Sequence, residues 1–376
     1  MPAAVRTVYI ISKIDKALAF EWIAGYIRKD KVELHFILLN SKESRLENFL
    51  KKNNIPVNRV DFKDKKDTLR AIWNIFLLLK KIKPEIVHTH LFEASLCGLT
   101  AAFFAGVKKR IHTRHHSSYH HMYFPSAIKY DRWINHLSTA IVAISENVKK
   151  ILIEKEKADP EKIHIIHHGF KLESFDNINS EKITLLKKKY HIIKNRPVIG
   201  VISRYTQWKG VQYIVPAFKL LLARYPGAVL ILCNAKGEYS EAIKNLLREI
   251  NPESYREIEF ESDLFTLYKM FDVFIHVPID NHSEAFGQTY VEALAAGIPS
   301  VFTLSGVASE FVVNKKNALT VSYKNIQDIF LKTEQILEDP GLRKILMENG
   351  KTDVYQMFRL EMMVDKLEKL YMQDRI

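Results

Sequence analysis

The stretch His282 to Ser300, "HSEAFGQTYVEALAAGIPS", decides how the chain is read. Polar His282, Ser283 and Glu284 come first, good helix formers follow in "TYVEALAA", and Gly297 and Pro299 stop the helix. A short apolar run, "SVFT", comes next and reads as a strand. Glu284 thereby falls on a loop, Gly287 at a helix N-terminus and Glu292 about one turn inside. A helix start points unpaired backbone N–H groups outward, and glycine removes the Cβ that would keep an anion at a distance. Phosphate oxygens suit that spot. The two flanking carboxylates repel phosphate, so their part is to accept hydrogen bonds from hydroxyls.

Working outward, short β-branched runs alternate with segments of helical apolar spacing along the whole chain. The first half carries "VYIIS", "VELHFILL", "VNRVDF", "EIVHTH", "RIHTRH", "AIVAIS" and "KIHIIHHG". The second carries "VIGVIS", "AVLILCN", "EIEFES", "VFIHVP", "SVFT" and "ALTVSY". Such alternation predicts an α/β chain of parallel sheets covered by helices on both faces. The strands divide into two sheets near "KKKYHIIKNRPVIG", where a lysine-rich segment ends and Pro197 precedes a fresh first strand. Two Rossmann-like domains facing across a cleft are therefore expected, 1–192 and 193–354, with a last segment 355–376. In such folds ligands sit at the carboxyl ends of the strands.

Composition narrows the class. At 376 residues, 47% hydrophobic and 26% charged, the chain has the profile of a folded globular protein with room for two cores. No apolar run approaches the ~20 residues of a membrane helix. "MPAAVRTVYIISKI" lacks a small-residue cleavage site and reads as a first strand, so a cytoplasmic protein is expected. Cys97 and Cys233 each lie in an apolar segment, where a buried free thiol is the default. Charge is uneven: residues 1–192 hold 34 Lys and Arg against 20 Asp and Glu, the remainder 22 against 23. Thirteen of the 15 histidines also lie in the first part. A nucleic acid, an anionic membrane surface, a phosphorylated substrate or merely a solvated basic face each fits that excess.

The second half opens "VIGVISRYTQWKG", with Arg204 leaving the first strand and Lys209 just before Gly210. Two cations on that loop suit an anion held there. Together with the helix at Gly287 and the two glutamates, they describe a ligand with a central diphosphate and hydroxylated rings at both ends. A nucleotide-sugar has that form.

"SRYTQWKG" followed by "HSEAFGQTYVEALAAGIPSV" resembles the retaining family 4 glycosyltransferases, with their Arg-x4-Lys-Gly and Glu-x7-Glu signatures. "KPEIVHTHLF", "RIHTRHH", "TAIVAISENVKKIL" and "KIHIIHHGFKLESF" are similar to that family's N-domain landmarks, in order. The resemblance implies the two-domain GT-B fold, with the tail "RLEMMVDKLEKLYMQ" crossing back onto the N-domain. It also implies an enzyme that moves a hexose-type sugar with retention, from a UDP- or GDP-sugar, without cofactor or metal. Arg204 and Lys209 then contact the diphosphate and stabilise the leaving nucleotide. Glu284 contacts the transferred sugar; Phe286, Gly287, Gln288 and Thr289 form the phosphate-facing turn; Glu292 holds the ribose. His115, with His116 as the neighbouring alternative, reaches the donor sugar from the N-domain. The nucleotide base is expected near "CNAKGE" and "FESDLF".

Two departures stand out. The loop after the first strand, "SKIDKALAFEW", has none of the glycines usual there, and the family's "Asn-Gly-Ile-Asp" turn is replaced by His168-Gly169-Phe170-Lys171. Rival readings are weaker. "HTRHHSSYHH" matches no usual zinc spacing, and a glycosidase carboxylate pair needs no diphosphate groups. An oxidoreductase would need a Gly-x-Gly-x-x-Gly that neither half has. A nucleic-acid reader would show basic stretches interleaved with aromatics. The alternatives kept are a catalytically silent nucleotide-sugar-binding subunit and a GT-B epimerase. The expected acceptor is a glycan or lipid-linked molecule of bacterial-type surface polysaccharide or glycoconjugate synthesis. "KKDTLRAIWNIFLLLKKIKP" and "HHMYFPSAIKYDRWINHL" are basic and aromatic enough to lie on an anionic bilayer, as a peripheral protein on the inner face of the membrane. Against that, Trp73 and the leucines after it are expected to pack on the N-domain sheet.

Overall fold

All thirteen predicted strands form in the computed structural model, which describes residues 4–192 and 197–373, and every pairing between them is parallel. The first sheet holds β1 (Val5–Ser12), β2 (Val32–Leu39), β3 (Val57–Val60), β4 (Ile86–His90), β5 (Lys109–Arg114), β6 (Ala140–Ala143) and β7 (Ile163–Ile165). Its spatial order is β3-β2-β1-β4-β5-β6-β7. The second sheet holds β8 (Val198–Ile202), β9 (Val229–Cys233), β10 (Tyr255–Ile258), β11 (Val273–His276), β12 (Ser300–Phe302) and β13 (Leu319–Thr320). Its order is β10-β9-β8-β11-β12-β13. In each sheet the order reverses beside the first strand, between β1 and β4 and between β8 and β11. The crevice at such a switch point is where a doubly wound sheet receives its ligand.

The inner strands are buried on both faces, which is why they read as continuous apolar runs, whereas the edge strands β3 and β10 are partly exposed. On β1, Val5, Tyr9 and Ile11 face one layer with Phe20, Ile23 and Leu46, while Val8 and Ile10 face Ala71, Ile75 and Cys97 on the other. Cys97 and Cys233 are buried free thiols, and burial raises their pKa to about 12 and about 11.

The chain divides into a first unit, 1–170 with 360–376, and a second, 171–359. The division falls earlier than residue 192, whose predicted junction borders a segment outside the described residues. The reason is packing. Phe175 meets the rings of Phe265 (4.8 Å) and Tyr268 (5.9 Å), and Glu261 accepts hydrogen bonds from Lys189 Nζ (2.7 Å) and Tyr190 Oη (2.6 Å). Segment 171–192 is thus fastened to the second sheet. The return comes at Leu360 rather than 355, because Phe358 stays buried against Phe286 and Phe311. Leu360 then donates its N–H to Phe170 O (3.0 Å), and the helix Leu360–Met372 buries Met363, Val364, Leu367 and Tyr371 on the first sheet.

The helix Thr68–Ile82 meets expectation in part: Leu78 and Leu79 pack on the core of the first sheet, Trp73 and Leu77 do not. Ala71, Ile75 and Leu79 are its buried residues, whereas Leu69, Trp73 and Leu77 are 81%, 60% and 48% exposed. Trp73 stacks on Phe76 of the same helix (5.5 Å) instead of on the sheet.

Candidate active site

In the second unit, the loop leaving β8 is tied to its neighbours on both sides. Tyr205 is fully buried, donates from Oη to Glu257 (2.9 Å) and exchanges backbone bonds with Lys236 and Tyr239 beyond β9. The chain then makes one 3₁₀ turn, Gln207–Lys209, ending at Gly210 with φ +77°. A Cβ there would lie 1.9 Å from the carbonyl oxygen of Val277, so only glycine allows this approach to the loop after β11. Ile279 N–H donates to Trp208 O (3.1 Å) and completes the join.

That join sets Lys209 against Glu284. The ammonium pairs with Glu284 Oε1 and also stands 4.4 Å from the centre of the Trp208 ring. His276, the last residue of β11, brings Nε2 to the same oxygen (2.9 Å), and the Glu284 N–H donates to Ser305 Oγ (3.2 Å). Glu284 is only 5% exposed. Burial alone would raise its pKa, but Lys209 and His276 outweigh burial and hold the carboxyl at about 2. Burial pushes His276 the other way, below its ordinary value, so it serves as a neutral Nε2–H donor. Arg204, on the same loop as Lys209, is exposed and has no ion-pair partner among the described residues.

Gly287 is the N-cap of the helix Gln288–Ala295, with φ +86°, and a Cβ on it would lie 2.5 Å from the Tyr290 ring. No side chain caps this helix start, which leaves its first N–H groups to a ligand or water. Thr289 Oγ1 is buried and has no hydrogen-bond partner among the described residues. Gln288 is exposed. Phe286 differs from the rest of the predicted turn: its ring lies in the core, 5.8 Å from that of Phe358, so only its backbone can address a ligand. One turn on, Glu292 accepts a hydrogen bond from Tyr268 Oη (2.8 Å), and burial raises its pKa.

The first unit holds the remaining predicted residue. His115 follows β5, bonds through Nε2 to His90 Nδ1 (3.2 Å) and stacks on His168 at 5.5 Å. His116 turns elsewhere, toward Asp131 (3.6 Å), which also pairs with His120 Nδ1 (2.7 Å) and Arg114 Nη1 (2.9 Å). Ligand-type atoms of His116, His120 and Asp131 lie within 4.8 Å of one another. The Arg114 guanidinium already supplies the positive charge that a metal would bring to this carboxylate, so the donor set suits an internal ion pair. The glycine-free loop after β1 is pinned: Asn40 bonds both the N–H (3.1 Å) and the carbonyl (2.7 Å) of Ile14, and Lys13 pairs with Glu93 (2.7 Å). At the altered turn, His168 stacks on His115 and Phe170 is buried.

Residues 23–174 match the family model "Glycosyltransferase Family 4" and residues 182–353 the model "Glycosyl transferases group 1". The chain belongs to the family 4 glycosyltransferases, which have the GT-B fold. It is 28% identical over 358 residues to the capsular polysaccharide biosynthesis glycosyltransferase CapM of Staphylococcus aureus, covering 92% of this chain and 91% of that one. It is 25% identical over 312 residues to an Escherichia coli UDP-Gal:alpha-D-GlcNAc-diphosphoundecaprenol alpha-1,3-galactosyltransferase, covering 81% and 79%. The crystal structure of Anabaena HepE in complex with UDP and glucose superposes with a TM-score of 0.84 at 17% identity, over 97% and 99% of the two chains.

Sequence reasoning missed His276, Ser305, Trp208 and Tyr268. His276 had a signal, since it is the C-terminal residue of a predicted strand, the position where ligand-facing groups collect. Tyr268 had none: it meets Glu292 across 24 residues of chain.

Proposed function

We propose that the protein is a retaining, metal-independent transferase that moves a hexose-type sugar from a nucleoside-diphosphate sugar, UDP or GDP, to a glycan or lipid-linked acceptor in surface polysaccharide or glycoconjugate synthesis. The observation that carries this reading is the charged Glu284, clamped by Lys209 and His276 beside the uncapped start of the helix Gln288–Ala295. Phosphate oxygens bind at the N–H groups of that helix, with Lys209 and Arg204 opposing the charge that develops as the nucleotide departs. Glu284 and Glu292 accept hydrogen bonds from sugar and ribose hydroxyls. In the transfer, the bond between the anomeric carbon and the diphosphate oxygen breaks, its electrons going to the diphosphate. The acceptor hydroxyl oxygen bonds that carbon on the face the diphosphate left, and its proton leaves with the diphosphate. The names of the Escherichia coli relative and of the HepE complex support a UDP donor, and CapM supports a polysaccharide acceptor.

No helix among the described residues is long and apolar enough to cross a membrane. The proposed delivery to a lipid-linked acceptor is peripheral. It uses the outward stripe of Leu69, Trp73 and Leu77 and the basic residues around it.

Thermal shift against UDP-, GDP-, ADP- and TDP-sugars tests the donor. A true donor at 100 times its Kd adds about 2.7 kcal/mol of stability, and the other nucleotides add less. NMR of the product decides retention. An inverted anomeric centre, or activity lost to EDTA and restored by manganese, overturns this reading.

A further inference from the structure

With His115 assigned to the donor sugar, the question is what its imidazole offers a ligand. A neutral ring carries one N–H and one lone pair, and which nitrogen holds the proton is settled by its partners. The partner here is His90, at the carboxyl end of β4 beside β5. His90 is 3% exposed and enclosed by rings: Tyr9 at 4.9 Å, Phe20 at 4.9 Å and His88 at 4.3 Å. Its Nδ1 lies 3.2 Å from His115 Nε2, and its own Nε2 is buried with no partner among the described residues.

Two proton placements satisfy the contact between the rings, and they differ in what they leave behind. If His115 donated, the proton of His90 would sit on Nε2 as a buried N–H without an acceptor. If His90 donates, its Nε2 is a bare lone pair among aromatic rings. Orphaned donors are rarer in folded proteins than under-satisfied acceptors, because an unmade buried hydrogen bond leaves the donor's desolvation uncompensated. We infer that His90 is a positioning residue that donates from Nδ1 to Nε2 of His115 and thereby holds His115 as the Nδ1–H tautomer, a neutral hydrogen-bond donor and not a base. The positioning role rests on the proposed place of His115 at the donor sugar; the tautomer does not. Burial, with other imidazoles close by, keeps both rings uncharged. His115 Nδ1 makes no hydrogen bond among the described residues, so its N–H is available to an oxygen of the donor. Deprotonation of the acceptor then falls to some other group.

The test uses the full chain labelled with ¹⁵N-histidine. Long-range ¹H–¹⁵N correlation at neutral pH, assigned by the signals that vanish in His115→Gln and in His90→Asn, reads the tautomer directly. The expected result is a protonated Nδ1 and a bare Nε2 on His115; an Nε2–H ring or an imidazolium overturns the inference. In turnover, His90→Asn keeps an N–H near the place of Nδ1 and retains kcat within a few-fold. His90→Leu lowers kcat about 10- to 100-fold with nucleoside diphosphate Kd unchanged. Full kcat in His90→Leu overturns the positioning role, and if that variant does not fold, the wild-type tautomer and the kcat of His90→Asn decide. Should His115→Ala keep full turnover, the donor-site assignment falls and takes the positioning role with it, while the tautomer result stands apart.

Discussion

Burial opposes charge in both halves of this enzyme, but the outcome differs with the partners in contact. In the first unit, His90 is buried and His115 half-buried among aromatic rings and other imidazoles, no carboxylate among the described residues is in contact with either, and both stay uncharged. In the second unit, Glu284 is just as enclosed, yet it is ionised, because Lys209 touches it and His276 donates to it. The first unit contains its own control: Asp131, also fully buried, is held well below the usual carboxylate range by His116, His120 and Arg114 despite its burial. Desolvation therefore decides the charge state only where no counter-charge is in contact. The first unit thus holds neutral imidazoles and the second a fixed charge pattern.

The largest effect that bears on this contrast is structural. Arg114→Met leaves Asp131 and Glu156 buried without their cation. Breaking a buried pair from one side costs about 3–5 kcal/mol, which lowers Tm by at least about 6 °C for a unit of this size. A melting curve within 2 °C of wild type would mean that the neighbouring histidines carry the charge balance alone.

Next comes the clamp. Lys209→Met removes the counter-charge of Glu284 and the donor proposed for the departing diphosphate, and kcat should fall about 10²- to 10³-fold. Glu284→Gln should lower turnover and spare binding of the free nucleotide. The pH dependence has a definite sign. The Glu284 pKa is depressed from 4.5 to about 2, so its stabilisation is complete above 4.5 and vanishes as pH falls toward 2. At ~1.36 kcal/mol per pKa unit, the full contribution is on the order of 3 kcal/mol. The Tm gap between wild type and Glu284→Gln should shrink from pH 5 to pH 3; a constant gap breaks the assignment of charge.

Glu292 sharpens the comparison within the second unit, since burial raises its pKa and its partner is a neutral hydroxyl. Glu292→Gln should weaken nucleoside diphosphate binding roughly 10- to 100-fold, the worth of hydrogen bonds to a charged group. Tyr268→Phe, which frees Glu292 from its orienting bond, should cost about 5-fold by the same measure. Equal losses of nucleotide affinity in Glu284→Gln and Glu292→Gln would erase the division of roles.

Much of this was legible in the residues and some was not, for physical reasons. Parallel strands buried on both faces leave unbroken β-branched runs, so both sheets could be read out. The division near residue 192 was read from lysines 187–189, but surface charge does not say which sheet a helix packs on; Phe175 and Tyr190 do, through contacts far away in sequence. On the helix Thr68–Ile82, apolar residues occur all round, at Ile72, Trp73, Ile75, Phe76, Leu77, Leu78 and Leu79. No single stripe announces itself as the inner one. In the site, the motif order put Arg204, Lys209, Glu284, Gly287 and Glu292 on one set of strand ends. The bonds of Glu284 to His276 and Ser305 depend on how an irregular loop folds back, which periodicity does not encode.

The smallest effect per residue concerns the surface of the first unit. With the units as folded, 1–170 and 360–376 carry 32 Lys and Arg against 21 Asp and Glu, and 171–359 carry 24 against 22. The asymmetry thus survives the shift of the boundary. It coincides with exposed apolar residues, Leu69, Trp73 and Leu77 on one helix and Phe124, Tyr130 and Trp133 on and beside another. A solvated basic face has no use for those rings, whereas an anionic bilayer takes up both the rings and the charge. Each basic residue near such a surface contributes on the order of 1 kcal/mol, screened beyond ~8 Å at physiological salt. Replacing the lysines at 63, 65, 66, 80 and 81 by glutamine should reduce co-sedimentation with anionic vesicles and flatten its salt dependence. Trp73→Ala should reduce it with the salt dependence unchanged, and neither set should alter nucleotide affinity. If wild-type protein stays in the supernatant at low and high salt alike, the surface does not meet a membrane, and the acceptor is better sought among soluble glycans.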